Sequence, residues 1–459
     1  MSAAFAAAGL ACSPAVTPNN ATRVAVVGAT VIDGVGGPPI SDAVVLVEGE
    51  HIVEVGPRDE ISIPIDARHI DGRDRWVIPG LVDAHVHFFQ SGGLYTRPDV
   101  IDLRDLRSYE REQEWISARM DRTLCRYLES GVTSVVDAGG PTWNFDLRAH
   151  ADATLLAPRV AVAGPLVSPI TPPELETDDP PIVGVRSSEE ARALVHSQIA
   201  RDPDFVKIWF ITPPGRDFDS FMPIVQTVIG ESHAANVPVV VHATQLEAAR
   251  LAVDAGADVL AHSITDRVVD DVFIAAMGGR GVIYTTTLLV SRRYDEVLHD
   301  RPQLTEIERR VGDPEVIDSW RDLERLPPTR RPPRRDLATF GPSPQAMENL
   351  RLLHEAGVVI AAGSDAGNIG TLHGPSLHRE LELMVEAGLD PMHVVLAATR
   401  GGALVIGDPL LGTLESGKIA DFLVLDANPL ENIENTARIH RVIKGGIPLD
   451  PDDLCAGVE

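Results

Sequence analysis

The residues best suited to do chemistry begin with two histidines, His85 and His87, in the run Leu81-Val82-Asp83-Ala84-His85-Val86-His87. Alternate side chains of a β-strand share a face, so this spacing puts Asp83, His85 and His87 on one side, where two imidazoles can converge on a metal ion. A His-x-His pair alone is weak, but four other apolar runs strengthen it. Val239-Val240-Val241 ends on His242 and Val259-Leu260-Ala261 ends on His262. Ala361-Ala362-Gly363-Ser364 ends on Asp365, and Phe205-Val206-Lys207-Ile208-Trp209 carries Lys207 in its middle. Core packing does not explain polar groups placed so regularly, whereas imidazole and carboxylate are the usual ligands of zinc and its neighbours.

The elements that must position these groups follow from the apolar pattern. Short apolar runs occur at Gly80–Val86, Val132–Val136, Arg159–Ala163, Phe205–Phe210, Pro238–Val241, Ala257–Ala261, Gly281–Thr285 and Val358–Ala362. Amphipathic helical stretches lie between them. One opens with the capping box Ser187-Ser188-Glu189-Glu190, and another runs from Met347 through Leu350 and Leu353 to stop at Gly357. Eight alternating strands and helices predict an α/β fold, the (β/α)8 TIM barrel, whose active sites sit at the carboxyl ends of the strands. Valine-rich short runs flank it, Val24-Ala25-Val26-Val27 and Val44-Val45-Leu46-Val47 before and Asp421-Phe422-Leu423-Val424-Leu425 after, and predict a small β-sandwich domain formed by the N- and C-terminal segments. The expected division is residues 1–21 as leader or linker, 22–79 and 405–459 as the β domain, and 80–404 as the barrel. An insertion from Ser291 to Pro344 reads equally as a lid or as unstructured chain.

Composition narrows the partners. With 459 residues, a net charge of −27 and 5% aromatic residues, neither a polyanionic partner nor a base-stacking surface is expected. No apolar run is long enough to span a membrane. The expected partner is a small-molecule substrate rather than a nucleic acid. Of the 40 basic residues only Lys207, Lys418 and Lys444 are lysines. A skew of this kind ordinarily reflects genome composition, yet a lysine kept in such a chain can do what arginine cannot, because guanidinium keeps its proton and is a poor nucleophile. The three cysteines, Cys12, Cys125 and Cys455, are scattered, with no zinc spacing and no disulfide framework. The small, apolar start fits a frayed cytoplasmic terminus, or else export with a lipid anchor at Cys12.

Longer motifs carry a resemblance. They are Val77-Ile78-Pro79-Gly80-Leu81-Val82-Asp83-Ala84-His85-Val86-His87, Gly363-Ser364-Asp365-Ala366-Gly367 followed by His373-Gly374, Ala397-Ala398-Thr399, and the tail from Gly412 to Asp426. Over nearly its whole length the chain resembles the amidohydrolase superfamily, and within it the branch of imidazolonepropionase-like enzymes, metal-dependent Xaa-Pro dipeptidases (prolidases) and ochratoxin hydrolases. The resemblance implies two divalent metal ions, with zinc the first expectation. His85, His87 and Asp365 would hold one, His242 and His262 the other, and Lys207, carboxylated by CO2, would bridge them. It also implies a homo-oligomer.

The activity implied is hydrolysis of amide or peptide bonds, in Xaa-Pro and other dipeptides, N-acyl amino acids or ochratoxin-like amides. A metal-bridging hydroxide would attack, and Asp365 would carry its proton to the leaving amine. His373 and Tyr284 are the candidate substrate contacts, and the Arg330–Arg335 cluster is either solvated or a carboxylate binder. The competing readings are a mononuclear deaminase or imidazolone-type cyclic amide hydrolase, which Lys207 disfavours, a lactonase or phosphotriesterase on the same centre, and a non-catalytic scaffold.

Overall fold

The computed structural model describes residues 23–212, 217–299, 302–331 and 342–458. The expected leader and Cys12 lie outside them, as do Arg334 and Arg335.

Each of the eight apolar runs forms a parallel strand, at Leu81–Val86, Val132–Asp137, Arg159–Val162, Val206–Trp209, Val239–His242, Val259–Ala261, Ile283–Thr285 and Ile360–Ala361. Ladders join the first three to one another and the last five to one another. Two seams close the ring. Asp204 N–H donates to Val162 O at 3.0 Å between the third and fourth strands. Between the eighth and first, Ala84 N–H meets Ala362 O at 2.9 Å and Asp365 N–H meets His85 O at 2.8 Å. The chain is a TIM barrel, as the alternation predicted. Two strands the sequence did not reveal extend the sheet outward from the fourth: Leu166–Ser168 pairs with it, Val167 opposite Ile208, and Ile182–Gly184 pairs with Leu166–Ser168. They are three residues each, too short for a periodic signal.

Strand alternation divides the residues into two layers. Ala84, Val136, Ala161, Val240, Val259 and Ala361 fill the barrel interior, with Val405 of helix Gly402–Ile406 packed among them. Their neighbours Val135, Ile208, Val241, Leu260 and Tyr284 face the helices. The first strand breaks this rhythm. Asp83 pairs with Val135 but Val86 pairs with Asp137, so three steps on one strand match two on its neighbour and the ladder shifts at Ala84 and His85. Such a bulge re-aims the side chains that follow it. The expectation that Asp83 shares a face with His85 and His87 is thereby corrected. Ala84 points inward, Asp83 turns to Ser364, and the histidines regain the interior only beyond the bulge.

Both ends of the chain build the small β domain. Phe422–Leu425 pairs antiparallel with Trp76–Pro79, which pairs with Arg23–Val31, all in one eight-stranded mixed sheet. Its core includes Val26, Val45, Val77, Phe422 and Val424. A further correction concerns the cysteines: Cys125 and Cys455 form a disulfide across 330 residues, a separation that carries no spacing signal. It ties the chain's last turns to helix Met120–Glu129.

The described part of the long insertion is ordered. Helices Glu306–Val311 and Pro314–Ser319 lead to Trp320 and Leu323, which pack with Leu94, Ile101 and Leu103 of the segment after the first strand. A buried ion pair of Arg293 with Glu308 fastens the same region, and Glu308 also accepts from Ser376 Oγ at 2.9 Å. No helix among the described residues is long and apolar enough to cross a membrane.

Candidate metal centre

Strand ends bring the six polar groups together. His85 and His87 come from the first strand, Lys207 from the fourth, His242 from the fifth, His262 from just beyond the sixth and Asp365 from beyond the eighth. One ligand atom each of His85, His87 and Asp365 lies within 4.8 Å of the others. Asp365 Oδ1 is 3.8 Å from His85 Nε2 and 3.7 Å from His87 Nε2, while its Oδ2 is 3.7 Å from His262 Nδ1. The rings of His85 and His262 stand 4.5 Å apart, and those of His262 and His242 4.3 Å.

Local structure aims these groups. His87 Nδ1 donates to the Gly139 carbonyl at 2.8 Å, which leaves Nε2 as its acceptor nitrogen. His262 and Asp365 both adopt the left-handed backbone region, with φ of 76° and 54°. Residues other than glycine hold such conformations at a cost of about 1–3 kcal/mol, and they cluster at working sites. The turn at Asp365 is secured by Thr371, whose hydroxyl donates to the Asp365 carbonyl at 2.8 Å. Asp83 supports it from behind, accepting from Ser364 N–H at 2.9 Å and from Ser364 Oγ at 2.5 Å. Burial pushes the Asp83 carboxyl up to about 7.

The electrostatics suit cations that the protein must bring in. Burial, and then the charge of Lys207, hold His85 well below its ordinary pKa, and His87 is brought down to about 3 by the same two causes. Both imidazoles are thus neutral, the ligand form. Lys207 is almost wholly buried, and burial pushes its amine down to about 7 against the pull of Asp365. Burial likewise raises Asp365 to about 6, opposed by Arg97 and Lys207. His85 Nε2 and Lys207 Nζ have no hydrogen-bond partner among the described residues. Buried polar atoms are rarely left so, and divalent metal held by this donor set would satisfy them.

The cluster floors a cavity of about 560 Å3 that opens at the carboxyl ends of the strands. One wall is formed by Leu166, Leu175, Ile182 and Trp209, and elsewhere Thr244, Thr265 and Asn368 add hydroxyls and an amide to a lining that also includes Leu288, Val290 and Leu298.

The family model for the amidohydrolase family matches residues 76–448, which take in the barrel and much of the flanking sheet. The chain belongs to the amidohydrolase family. It is a metal-dependent hydrolase acting on C–N bonds, and its His-His-Asp group fits the metal site of that family. Among curated relatives, this amidohydrolase is 24% identical to the ochratoxinase of Aspergillus niger, over 92% of this chain and 86% of that one. It is 27% identical to an imidazolonepropionase of Micrococcus luteus, over 90% and 92%. Among solved structures, a Xaa-Pro dipeptidase with methionine bound in its active site superposes with a TM-score of 0.70 at 23% identity, covering 94% of this chain and all of that one.

Two expected substrate contacts in this amidohydrolase are corrected. Tyr284 faces the helices, one residue out of phase with the inward Thr285, and its hydroxyl accepts from Ile264 N–H at 2.9 Å. His373 stacks on Phe88, and both ring nitrogens are engaged, with the Tyr127 hydroxyl at 2.8 Å and the Gln90 carbonyl at 2.7 Å. Neither lines the main cavity. Arg330 does bind a carboxylate, but that of the chain's own Asp105, at 2.7 and 2.8 Å.

Sequence reasoning missed Arg97, Tyr294, Thr287 and Asn368, which do line the cavity. Only Thr287 left a usable sign. As the residue before helix Leu288–Leu298 it should cap that helix, yet its hydroxyl is hydrogen-bonded to His262 Nδ1 at 2.9 Å instead.

Proposed function

We propose that the chain is a binuclear amidohydrolase, with His85, His87 and Asp365 on one divalent metal, His242 and His262 on the second, and a carboxylated Lys207 between them. The observation that carries this reading is Lys207 itself, a buried amine on the inner face of the fourth strand with no hydrogen-bond partner among the described residues. As a carbamate it becomes an anion with two oxygens, which a ring of neutral imidazoles around two cations lacks. Zinc is the first expectation for both positions, given the imidazole-rich donor set.

When bound, the metals would supply a water that ionises near neutral pH and would polarise the scissile carbonyl. The chain's own residues do the rest. The histidines fix the geometry, neutral and held by their second ring nitrogens where those are engaged. Asp365 accepts the proton of the attacking water and delivers it to the leaving amine nitrogen as the C–N bond breaks. The cavity walls orient the substrate and exclude bulk water. Substrates are amides or peptides, of the Xaa-Pro dipeptide, N-acyl amino acid or ochratoxin-like kind. The apolar wall of Leu166, Leu175, Ile182 and Trp209 favours those with a large apolar acyl or amine part. We place the enzyme in an exported setting rather than the cytoplasm, because the Cys125–Cys455 disulfide persists under oxidising conditions.

Metal analysis of the purified chain, joined to a screen of dipeptides, N-acyl amino acids and lactones with and without zinc, tests the proposal. The expected result is about two metals per chain and turnover of amides. A single metal beside an unmodified Lys207 overturns it.

A further inference from the structure

Three separate segments of the cover meet at one amide. Arg97 comes from the segment after the first barrel strand, Tyr294 from helix Leu288–Leu298 after the seventh, and Asn368 from the turn after the eighth. Arg97 Nη1 donates to Asn368 Oδ1 at 2.5 Å, and the Tyr294 hydroxyl donates to the same oxygen at 2.7 Å. Asp99 holds the other edge of the Arg97 guanidinium at 2.6 and 2.8 Å, so Arg97 is fixed in place. With two donors on its oxygen, the Asn368 amide can face only one way. Its Nδ2 is turned to Asp365 and donates to Oδ1 at 2.7 Å. Asn368 is buried, and Arg97, Tyr294, Asn368 and Asp365 line the cavity.

The consequence falls on Asp365. Oδ1 lies nearest the Nε2 atoms of His85 and His87 and is held there by Asn368, whereas Oδ2 receives no such bond among the described residues and looks toward His262. We infer that Asn368 is a positioning residue that divides the work between the two carboxylate oxygens. Oδ1 is fixed as the metal-facing oxygen, and Oδ2 is left to take and return the proton. Arg97 and Tyr294 set the amide, so segments that line the cavity also orient the proton carrier. This inference rests on the metal-ligand role proposed for Asp365.

The test is a double-mutant cycle read on zinc affinity, measured by competition with a chromophoric chelator on the full-length chain, with thermal unfolding of the metal-free proteins as control. Asn368→Leu should weaken zinc binding about tenfold or more, the usual effect of losing a partner of a ligand. Tyr294→Phe touches no ligand, yet should weaken it several-fold by loosening the amide. In the Asn368→Leu background Tyr294→Phe should then change nothing further, because its route to Asp365 is gone. Additive effects, or zinc affinity unchanged in Asn368→Leu, overturn the inference. Should Asn368→Leu fail to fold, Tyr294→Phe carries the test alone, and parental affinity in it counts against the relay. A parent chain that takes up no zinc overturns the metal-site proposal itself, an outcome distinct from a parent that binds zinc and variants that bind it equally well.

Discussion

Thr287 and Glu380 exchange ordinary duties. The Thr287 hydroxyl serves His262, and Glu380 of helix Ser376–Glu386 accepts the N–H groups of Leu288 and Leu289 at 2.9 and 2.7 Å, capping the helix in its stead. Burial raises the Glu380 carboxyl from 4.5 to about 7. The folded chain therefore holds this proton at pH values where the unfolded chain has released it. The stability it contributes is fully present below about pH 4.5 and is lost as pH rises through about 7, a change on the order of 3 kcal/mol. Urea unfolding of Glu380→Gln at pH 5 and pH 8 should show a smaller difference between the two than the parent. An equal difference would refute the assignment.

Lys207→Ala should lose most activity, by two orders of magnitude or more, and regain part of it when short carboxylic acids are added to replace the carbamate. Intact-mass spectra under native conditions should show the parent heavier by one CO2. Absence of rescue together with an unmodified parent mass would count against the bridging role.

Gly363 leaves room for the first strand. A Cβ there would meet His85 Cβ at 2.7 Å and Thr285 Cγ2 at 2.9 Å. Gly363→Ala should destabilise the fold by about 1–3 kcal/mol and displace His85, so that zinc content falls as well as the unfolding midpoint. Full zinc content in a folded variant would show that the strand can give way.

Cys455→Ser should lower stability by about 2–5 kcal/mol, and reductant should have the same effect on the parent but none on the variant. Thiol titration of the denatured parent should find two more free thiols after reduction than before it.

Much of the centre was legible because strand alternation is a local rule. Lys207, His242 and Asp365 stand where apolar runs end or are interrupted, and the barrel could be counted from those runs. Tyr284 was misjudged by a single residue of phase, since a tyrosine near a strand end reads the same whichever layer it enters. His373 looked available because nothing in sequence announces that Tyr127 and Gln90, far along the chain, occupy both its nitrogens. Arg97, Tyr294 and Asn368 were invisible for the same reason: their meeting is a property of three loops that share no periodicity. The disulfide was hidden by the span it crosses.

The bulge in the first strand has a consequence for how this chain can change over time. Exchange of Ala84 for another small residue leaves the frame of the strand intact. Loss of one residue between Asp83 and Val86 would remove the bulge, so that His87 kept its face while His85 was either lost or drawn one layer deeper into the place of Ala84. The strand would keep its pairing partners, and the enzyme would lose its chemistry. At this place inheritance must conserve a number of residues as strictly as their kinds, and a gap there in a descendant marks a barrel that has kept its shape and abandoned hydrolysis.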